Sequence, residues 1–388
     1  MAMYDVVVVG AGIEGSATAY YLLKKGLHVL LLEQFSALHS RGSSHGQSRI
    51  IRRAYDKPQY VRMMNDAYTL WSDFEKESGA TLYRKTGILV FGPRKNIAVS
   101  STAHSLASGQ VPHEQFSGRE ANRRYSQQLK LPEDYQCVFE EGGGILNAQK
   151  AVLAFQQQFQ KLGGTLLDHT QVVEIQAGGA VVTVVTAPRK AFWARHLVVA
   201  AGAWTTALCS SIGLNLPFRV LRSELNFWKV EDPAVFTPDK FPVFIGYTSD
   251  DDNDTHYYGL PIHEYPGLLK VCAHGGIAIE GPDSRDRPGG PGTVVPVSQF
   301  ISQTLRGVST TASITEYCMY TMSPDFDPVI DRHPLYSNII VASGFSGHGF
   351  KLAPVVGKVI SELVTGESPS HDLHLFRLAR FLPPQSHL

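Results

Sequence analysis

The stretch at residues 4–33 constrains the fold of this chain more than any other. It opens with an unbroken run of four valines, Val6 to Val9, which is typical of a strand buried on both faces. Residues 14–25 follow as a predicted helix that ends at Gly26, and residues 28–32 form a second apolar strand. We therefore predict that the chain begins with a strand–helix–strand unit of an α/β fold.

A glycine pattern, G-x-G-x-x-G, joins the first strand to the helix. Gly10 allows the tight turn, Gly12 lets a pyrophosphate approach the backbone, and Gly15 lets the helix pack closely on the strand. Ile13 and Glu14 stand at the start of the helix, where unpaired N–H groups and the helix dipole favour phosphate. The pattern predicts that these five residues hold a phosphate-bearing cofactor.

An acidic residue, Glu33, ends the second strand at the spacing expected for a carboxylate that binds ribose hydroxyls. A carboxylate there disfavours a 2′-phosphate, so FAD or NAD fits better than NADP. A glycine-rich turn without a ligand would leave this acid unexplained. Strand, glycines, helix and acid together predict a dinucleotide site.

Bulk properties exclude several other classes of protein. Lys+Arg and Asp+Glu both number 35, so the formal net charge is zero, and we expect no nucleic-acid partner. No apolar run approaches the length of a membrane span, so we expect no membrane association. The four cysteines are widely spaced without a zinc-binding pattern, which favours a reducing compartment and predicts no metal site.

The 388 residues suggest two domains, each built from separate parts of the chain. We expect the cofactor domain at residues 1–85, 145–215 and 320–388, and the substrate domain at residues 86–144 and 216–319. Apolar and polar residues alternate through 216–319, which predicts an antiparallel sheet with one wet face. Residues 81–92 resemble a hairpin arm.

Three stretches are candidates for the chemistry. The first is the Gly/Ser-rich loop at residues 39–52, where Arg49 and Arg52 would share one face if a helical turn began near Ser48. The second is Tyr-Cys-Met-Tyr-Thr at 317–321. The third is residues 343–351, whose glycines let backbone N–H groups face a ligand before a helix.

These stretches, together with Tyr258-Gly-Leu-Pro261 before Lys270, resemble the monomeric sarcosine oxidase family, and within it the peroxisomal branch. The resemblance runs over nearly the whole chain. It implies a Rossmann-like FAD domain of the D-amino-acid-oxidase type and a second domain built on an antiparallel sheet. It also implies that FAD is attached through a thioether at Cys318, where a lone cysteine is otherwise read as a small buried hydrophobe.

The activity that the resemblance implies is oxidation of secondary amino acids with O₂, which gives an imine and H₂O₂. Sarcosine would yield glycine and formaldehyde, L-pipecolate would yield the cyclic imine, and L-proline would be a poorer substrate. Two alternatives stay open. One is a related flavin enzyme, either a glycine- or D-amino-acid-type oxidase or a quinone-reducing dehydrogenase. The other is a catalytically silent FAD-binding scaffold.

Family matching assigns roles to individual residues. Arg52 and Lys351 would hold the substrate carboxylate, the arginine bidentately. Lys270 would lie over the flavin and assist O₂, because an ammonium stabilises developing negative charge. The alternative for Lys270 is a strand lysine that faces water. Residues near the substrate would be Tyr258, His274 and Tyr320. Residues in contact with the cofactor would be Ser43, Ser44, His45, Arg49, Val172, Cys318, Gly344, Gly347, His348, Gly349 and Lys351.

The tripeptide Ser386-His387-Leu388 differs from Ser-Lys-Leu, a peroxisomal address read by an import receptor, in one residue. An ordinary frayed tail is the alternative. Because a peroxide-forming enzyme suits a peroxisome, we expect a peroxisomal protein that engages the import receptor. The family also implies a monomer.

Overall fold

The structure is a computed structural model that describes residues 3–250, 256–287, 290 and 292–382. Its strands, in chain order, are β1 (Met3–Val9), β2 (Val29–Leu32), β3 (Ser48–Ile51), β4 (Tyr83–Lys85), β5 (Ile88–Gly92), β6 (Glu114–Ser117), β7 (Gln136–Glu140), β8 (Gly144–Asn147), β9 (Thr165–Leu167), β10 (Gln171–Gln176), β11 (Val182–Ala187), β12 (Lys190–Val199), β13 (Arg219–Val230), β14 (Val243–Gly246), β15 (Tyr257–Leu260), β16 (Leu268–Ala273), β17 (Ile277–Ile279), β18 (Val308–Met322), β19 (Val329–Arg332) and β20 (Ile339–Ser343).

The helices, in chain order, are α1 (Ile13–Lys24), α2 (Pro58–Ser78), α3 (Ile97–Ser108), α4 (Gly118–Arg124), α5 (Ala148–Lys161), α6 (Thr205–Ser210), α7 (Val294–Thr304) and α8 (Ala353–Thr365). Among the described residues, none of these helices combines the length and the apolar character that a bilayer crossing requires.

The first sheet is built around β1, which pairs in parallel with β2 on one side and β12 on the other. The predicted strand–helix–strand unit is confirmed. Val6 and Val8 pack into the core beneath α1, whereas Val7 and Val9 pack into a second core on the opposite face. This double burial explains the unbroken valine run. Strands β9 and β10 with β11 complete the two ends of the sheet, and β20 with β19 joins beside β12.

The second sheet has the strand order β17-β13-β16-β15-β14-β5-β7-β6, with β18 paired to β13. Its pairs between residues 219 and 322 are antiparallel, as predicted. The predicted wet face is wrong for β14 and for most of β16, which are buried on both faces. Apolar residues of α7 cover one of these faces, packing with residues of β13 and β16.

The interpretation of residues 81–92 as a single hairpin arm is wrong. Strand β4 joins a small sheet with β8, whereas β5 lies inside the second sheet between β7 and β14. Burial explains the separation, because all five residues of β5 are buried while Arg84 and Lys85 of β4 are exposed. Charged side chains suit the small edge strand and not the interior of a sheet.

The small sheet, β3-β8-β4, also corrects the expectation of a helical turn at Ser48. Residues 48–51 form a strand in which Arg49 pairs with Leu146. Arg52 follows the last residue of this strand. Extended backbone therefore presents the two arginines, and no helical face is shared between them.

The division into two domains remains a proposal. The predicted boundary between residues 319 and 320 falls inside β18, which pairs with β13 without interruption from Arg219↔Met322 to Phe227↔Ile314. A boundary inside one continuous ladder would cut a single sheet, so we propose that the division follows Met322.

We expect Gly15→Ala to destabilise the protein by about 1–3 kcal/mol, because overpacking a rigid backbone contact has costs of this size. A Cβ on Gly15 would lie 1.8 Å from the carbonyl oxygen of Gly10, where no flexible side chain can yield. Urea denaturation monitored by circular dichroism measures the change. Gly178→Ala is the matched control, because a Cβ there meets nothing within 4 Å. Equal midpoints for the two variants would contradict the prediction.

Candidate cofactor and substrate site

A cavity of about 870 Å³ lies between the first and second sheets. It starts at the carboxyl ends of β1 and β2, which is where parallel sheets bind ligands, and reaches residues of β15, β16 and β18. All residues predicted to contact cofactor or substrate line it, with the exception of Gly15. Gly15 instead faces the carbonyl of Gly10, in agreement with its predicted packing role.

The glycine turn closes one end of the cavity. A Cβ on Gly10, whose φ is +100°, would lie 2.5 Å from the carbonyl oxygen of Ala200. A Cβ on Gly12 would lie 2.9 Å from the hydroxyl of Ser44, which accepts a 3.0 Å hydrogen bond from the backbone N–H of Ile13. The backbone is thus open to a ligand only because these positions carry no side chain.

Glu33 is buried beside this turn. One carboxylate oxygen accepts a 2.9 Å hydrogen bond from the N–H of Ala11, and the other accepts a 3.0 Å bond from the N–H of Phe35. His39 lies 3.4 Å from the second oxygen. Each oxygen keeps a lone pair, so Glu33 holds the turn and is still able to bind a ribose hydroxyl.

Glu14 is buried at the start of α1, and neither of its carboxylate oxygens has a hydrogen-bond partner among the described residues. Burial raises the pKa of this carboxyl well above its usual range. Burial therefore favours the neutral acid form of Glu14. A neutral side chain fits beside an anionic pyrophosphate, which an ionised carboxylate would repel.

Cys318 lies in the wall of the cavity on β18, with its Sγ 4.0 Å from Nη2 of Arg49. The same nitrogen donates to the carbonyls of Ser43 at 2.8 Å and His45 at 2.6 Å. Burial lowers the pKa of His45 to about 4, so this ring is neutral at pH 7. The guanidinium therefore fixes the loop against Cys318 and supplies the positive charge beside its sulfur.

Two more cations meet at the ring of Tyr55. The guanidinium carbon of Arg52 lies 4.0 Å from the ring centroid, and Nζ of Lys351 lies 5.7 Å from it. Lys351 is 6% exposed and donates to the carbonyl of His348 at 3.3 Å. Within the described chain, no carboxylate forms an ion pair with Arg49, Arg52 or Lys351. Burial, and then the two arginines, lower the pKa of Lys351 well below its usual range.

Aromatic and imidazole rings complete this end of the cavity. His274 stacks on His256 with centroids 4.4 Å apart and lies 5.2 Å from Tyr320. Burial, then the charges of Arg52 and Lys351, lower the pKa of His274 to about 4. Burial also lowers the pKa of His348 to about 3 and raises that of Tyr320 to about 12.

Tyr258 behaves in the same way, since burial raises the pKa of its phenol well above the usual range. The rings around the cations are therefore neutral at pH 7. The positive charge around Tyr55 therefore comes from Arg52 and Lys351 and not from the rings, and it is complementary to an anion.

Lys270 is 4% exposed, so the alternative of a water-facing strand lysine is wrong. Its Nζ lies 2.7 Å from Oε1 of Glu264 and 3.3 Å from the hydroxyl of Ser48, and the hydroxyl also donates to that oxygen. Burial alone would raise the pKa of Glu264, but Lys270 and Ser48 overcome it and lower that pKa.

The sequence interpretation missed several residues of the cavity and its surroundings. Ser48 lies in the loop already selected and Glu264 in the segment just before Lys270, so an acid near that lysine was the available signal. The interpretation also missed a second group of residues. Lys57 pairs with Asp327 at 2.8 Å, and the hydroxyl of Tyr60 donates a 2.8 Å hydrogen bond to the same carboxylate. About 270 positions separate these partners along the chain, and no local pattern connects them.

A family model for FAD dependent oxidoreductases matches residues 5–363. The chain belongs to this family. Peroxisomal sarcosine oxidase from Homo sapiens is 41% identical over 383 residues, which cover 98% of this chain and 96% of that protein. Monomeric sarcosine oxidase from Bacillus sp. (strain NS-129) is 35% identical over 382 residues and 97% of each chain. The resemblance drawn from the motifs is therefore confirmed.

Among solved structures, the amino acid oxidase NikD superposes with a TM-score of 0.82 at 23% identity, covering 97% of this chain and 98% of that one. This likeness supports the predicted fold class. The site also fits FAD on its own evidence. The glycine turn and neutral Glu14 suit the pyrophosphate, Glu33 suits the ribose, and the cavity continues past Cys318 to the cation cluster.

We expect small carboxylates to bind this oxidoreductase more weakly as the pH rises. The pKa of Lys351 is lowered in the free protein, so its amine is neutral at pH values above that pKa. A bound carboxylate instead favours the charged ammonium. Affinity should be greatest below the pKa of the free protein and fall by up to about tenfold per pH unit above it. Titration of flavin absorbance with cyclohexanecarboxylate between pH 5.5 and 9.5 measures this.

Lys351→Met should bind this carboxylate weakly and with a flat pH profile. Lys57→Met is the matched control, because Lys57 also lines the cavity but is paired with Asp327. This control should keep the pH dependence of the unmodified protein. A constant dissociation constant in the unmodified protein would contradict the assignment.

Proposed function

We propose that this chain is a flavoprotein oxidase of secondary amino acids, acting on sarcosine and L-pipecolate and less readily on L-proline. It removes two hydrogens from the CH–NH group to give an imine, and O₂ becomes H₂O₂. The imine from sarcosine is hydrolysed to glycine and formaldehyde. The observation that carries the proposal is the cluster of Arg49, Arg52 and Lys351, which has no carboxylate partner in the described structure and lies in an FAD-sized cavity.

The substrate carboxylate supplies the anion that this cluster lacks. The planar guanidinium of Arg52 binds this carboxylate through two hydrogen bonds, and the ammonium of Lys351 binds it as a point charge. Binding draws a proton onto Lys351, whose ammonium is disfavoured in the free site. The carboxylate is held at one end of the cavity, so the adjacent CH–NH group would extend into the remaining space, where FAD would supply the oxidising group.

The neutral rings surround the substrate amine. The high pKa values of Tyr258 and Tyr320 keep both phenols protonated, so they remain hydrogen-bond donors. His274 is neutral at pH 7 and adds no charge that would repel a protonated amine. A Cβ on Gly347 would lie 2.8 Å from His274 and 3.0 Å from Tyr320, so the glycine lets the backbone approach these rings.

FAD, when bound, accepts the two electrons of the CH–NH group and passes them to O₂. Lys270 places an ammonium at the cavity wall, where it stabilises the negative charge that develops on O₂. Its location on β16, apart from the Tyr55 cluster, separates this role from carboxylate binding.

We also propose that FAD is attached covalently to Cys318. The Sγ lies in the cavity wall beside Arg49, and a neighbouring cation stabilises negative charge on sulfur. Attachment forms a bond between Sγ and the flavin 8-methyl carbon. One thiol hydrogen and one methyl hydrogen are lost, and the two electrons leave through O₂.

A peroxisomal location and a monomeric state complete the proposal. The relative from Homo sapiens is named a peroxisomal sarcosine oxidase, and peroxide as a product suits that compartment. The bacterial relatives named monomeric sarcosine oxidase support a monomer. Ser386-His387-Leu388 lies outside the described residues, and its contact with an import receptor stays a prediction.

An anaerobic flavin-reduction series tests the substrate class. We expect sarcosine and L-pipecolate to bleach the oxidised flavin fastest, L-proline more slowly, and D-alanine least. Arg52→Met should weaken substrate binding by about 2–5 kcal/mol, because the desolvated substrate carboxylate then lacks its bidentate guanidinium partner. Stopped-flow absorbance near the flavin maximum gives the rates.

Other outcomes of the series identify the alternatives. Fastest reduction by glycine or D-alanine would favour a glycine- or D-amino-acid-type oxidase. Reduction by sarcosine without reoxidation by O₂ would favour a dehydrogenase. A flavin that stays oxidised with all these substrates would leave only a binding scaffold.

We expect Cys318→Ser to release its flavin on acid precipitation, because serine cannot form the thioether. The yellow colour should stay with the precipitated unmodified polypeptide and move to the supernatant of the variant. Cys272→Ser is the matched control, since Cys272 is also buried on the second sheet but does not line the cavity. Flavin retained by precipitated Cys318→Ser would place the attachment elsewhere.

A further inference from the structure

We infer that Glu264 is a positioning residue that keeps Lys270 charged and directs its ammonium into the cavity for the reaction with O₂. The inference rests on the proposed oxidase function, in which Lys270 assists O₂. Nothing in the motifs singled out Glu264, and it acts through the lysine without touching substrate or cofactor.

The geometry is a closed group of three side chains. Oε1 of Glu264 lies 2.7 Å from Nζ of Lys270, and the hydroxyl of Ser48 lies 3.3 Å from the same Nζ while donating to the same oxygen. The side chains of the ion pair are 5% and 4% exposed. A pair so shielded from water has its geometry fixed by the surrounding protein.

The pair is also oriented. Lys270 and Ser48 line the large cavity, whereas Glu264 lines a second cavity of about 330 Å³. Lys270 is thus the member of the ion pair that lines the proposed reaction space, and Glu264 is not among the residues that line it. The ammonium is therefore the charge of the pair that a reactant in the large cavity meets.

Lys351 shows what burial at the wall of the same cavity does to a lysine that has no acid partner. It is 6% exposed, has no carboxylate partner in the described chain, and has a pKa lowered well below the usual range, by burial first. Desolvation disfavours an ammonium without a counter-charge, so removal of the acid partner of a buried lysine favours the neutral amine. A neutral amine cannot offset charge on O₂, so the role proposed for Lys270 requires Glu264.

Other titratable and charged groups face the pair. Arg49 acts on Glu264 from β3, while His263, Tyr265 and Cys272 lie on the flanking segment and on β16. The charged and titratable residues that share the second cavity with Glu264 are His45, Arg285, Asp286, Glu316 and Tyr317. Lys270 and Ser48 are the side chains bonded to the Glu264 carboxylate in the described structure.

Glu264→Gln tests the inference in the oxidative half-reaction. In the variant, reoxidation by O₂ should begin to slow at a lower pH than in the unmodified enzyme. At pH values above both onsets, the variant should be slower by about tenfold for each pH unit that separates them. The rate should recover at low pH, where Lys270 is charged again. Glu264→Asp keeps the charge and should restore a profile close to that of the unmodified enzyme. Glu316→Gln, a change in the same second cavity away from Lys270, should leave the profile unchanged.

Thermal unfolding of the holoenzyme gives a second readout that does not depend on turnover. Glu264→Gln leaves a buried ammonium unpaired, so it should lower Tm most below the pH at which Lys270 loses its proton, and less above it. In a Lys270→Met background the same change should lower Tm much less, because no charge is left uncompensated.

The outcomes separate this inference from the proposed function. If Lys270→Met slows reoxidation but Glu264→Gln matches the unmodified enzyme at all pH values, the positioning role is overturned and the oxidase proposal stands. If Lys270→Met also reoxidises normally, both the lysine's role and this inference fail. A failed substrate series overturns the function itself.

Discussion

Positive charge that lines a cavity without a carboxylate partner among the described residues is the constraint on which the site depends. Arg49, Arg52 and Lys351 lie around one cavity, and no carboxylate pairs with them among the described residues. Their field acts on neighbouring groups, since the two arginines help lower the pKa of Lys351, and Arg52 with Lys351 helps lower that of His274. Such an arrangement is costly until an anion enters. An amino acid carboxylate lowers that cost, so the free-protein charge distribution favours the proposed class of substrate.

The two buried lysines have different surroundings, which suit the different roles that we propose for them. Lys351 has no acid partner and is disfavoured as an ammonium until a carboxylate binds. Lys270 has its acid partner within the protein, 2.7 Å away. A lysine that must bind and release an anionic substrate benefits from a weak hold on its proton. A lysine that must present positive charge to neutral O₂ has no anion to recruit, so the protein supplies one.

Local patterns were enough to predict the opening strand–helix–strand unit and the residues of the glycine turn. The valine run, the three glycines and Glu33 are contiguous, and each follows from a rule about a few neighbouring residues. The family motifs extended this to residues on four other segments, and these line the same cavity. Their individual roles remain proposals. Local rules failed for the hairpin arm at 81–92 and for the turn at Ser48. The strands there pair with residues of 136–147 or 243–246, and no short window contains both partners.

The other residues that the sequence interpretation missed have partners far away in the sequence. Glu264 with Ser48, and Lys57 with Asp327, are joined across 216 and 270 positions. Each pair involves an acid that looks like an ordinary surface residue in the sequence. Burial is what distinguishes these acids, and burial depends on the whole fold.

Strand β18 carries both the residue proposed to bind the flavin and a ring proposed to lie near the substrate. Cys318 and Tyr320 are two residues apart on it, so their side chains project from the same side of the strand, one beside Arg49 and the other beside His274. The paired register with β13, Ser223↔Cys318 and Leu221↔Tyr320, fixes both at once. A shift by one residue would turn both side chains away from the cavity. The pairing of β18 with β13 therefore positions both the proposed attachment point of the flavin and a ring that we propose lies near the substrate.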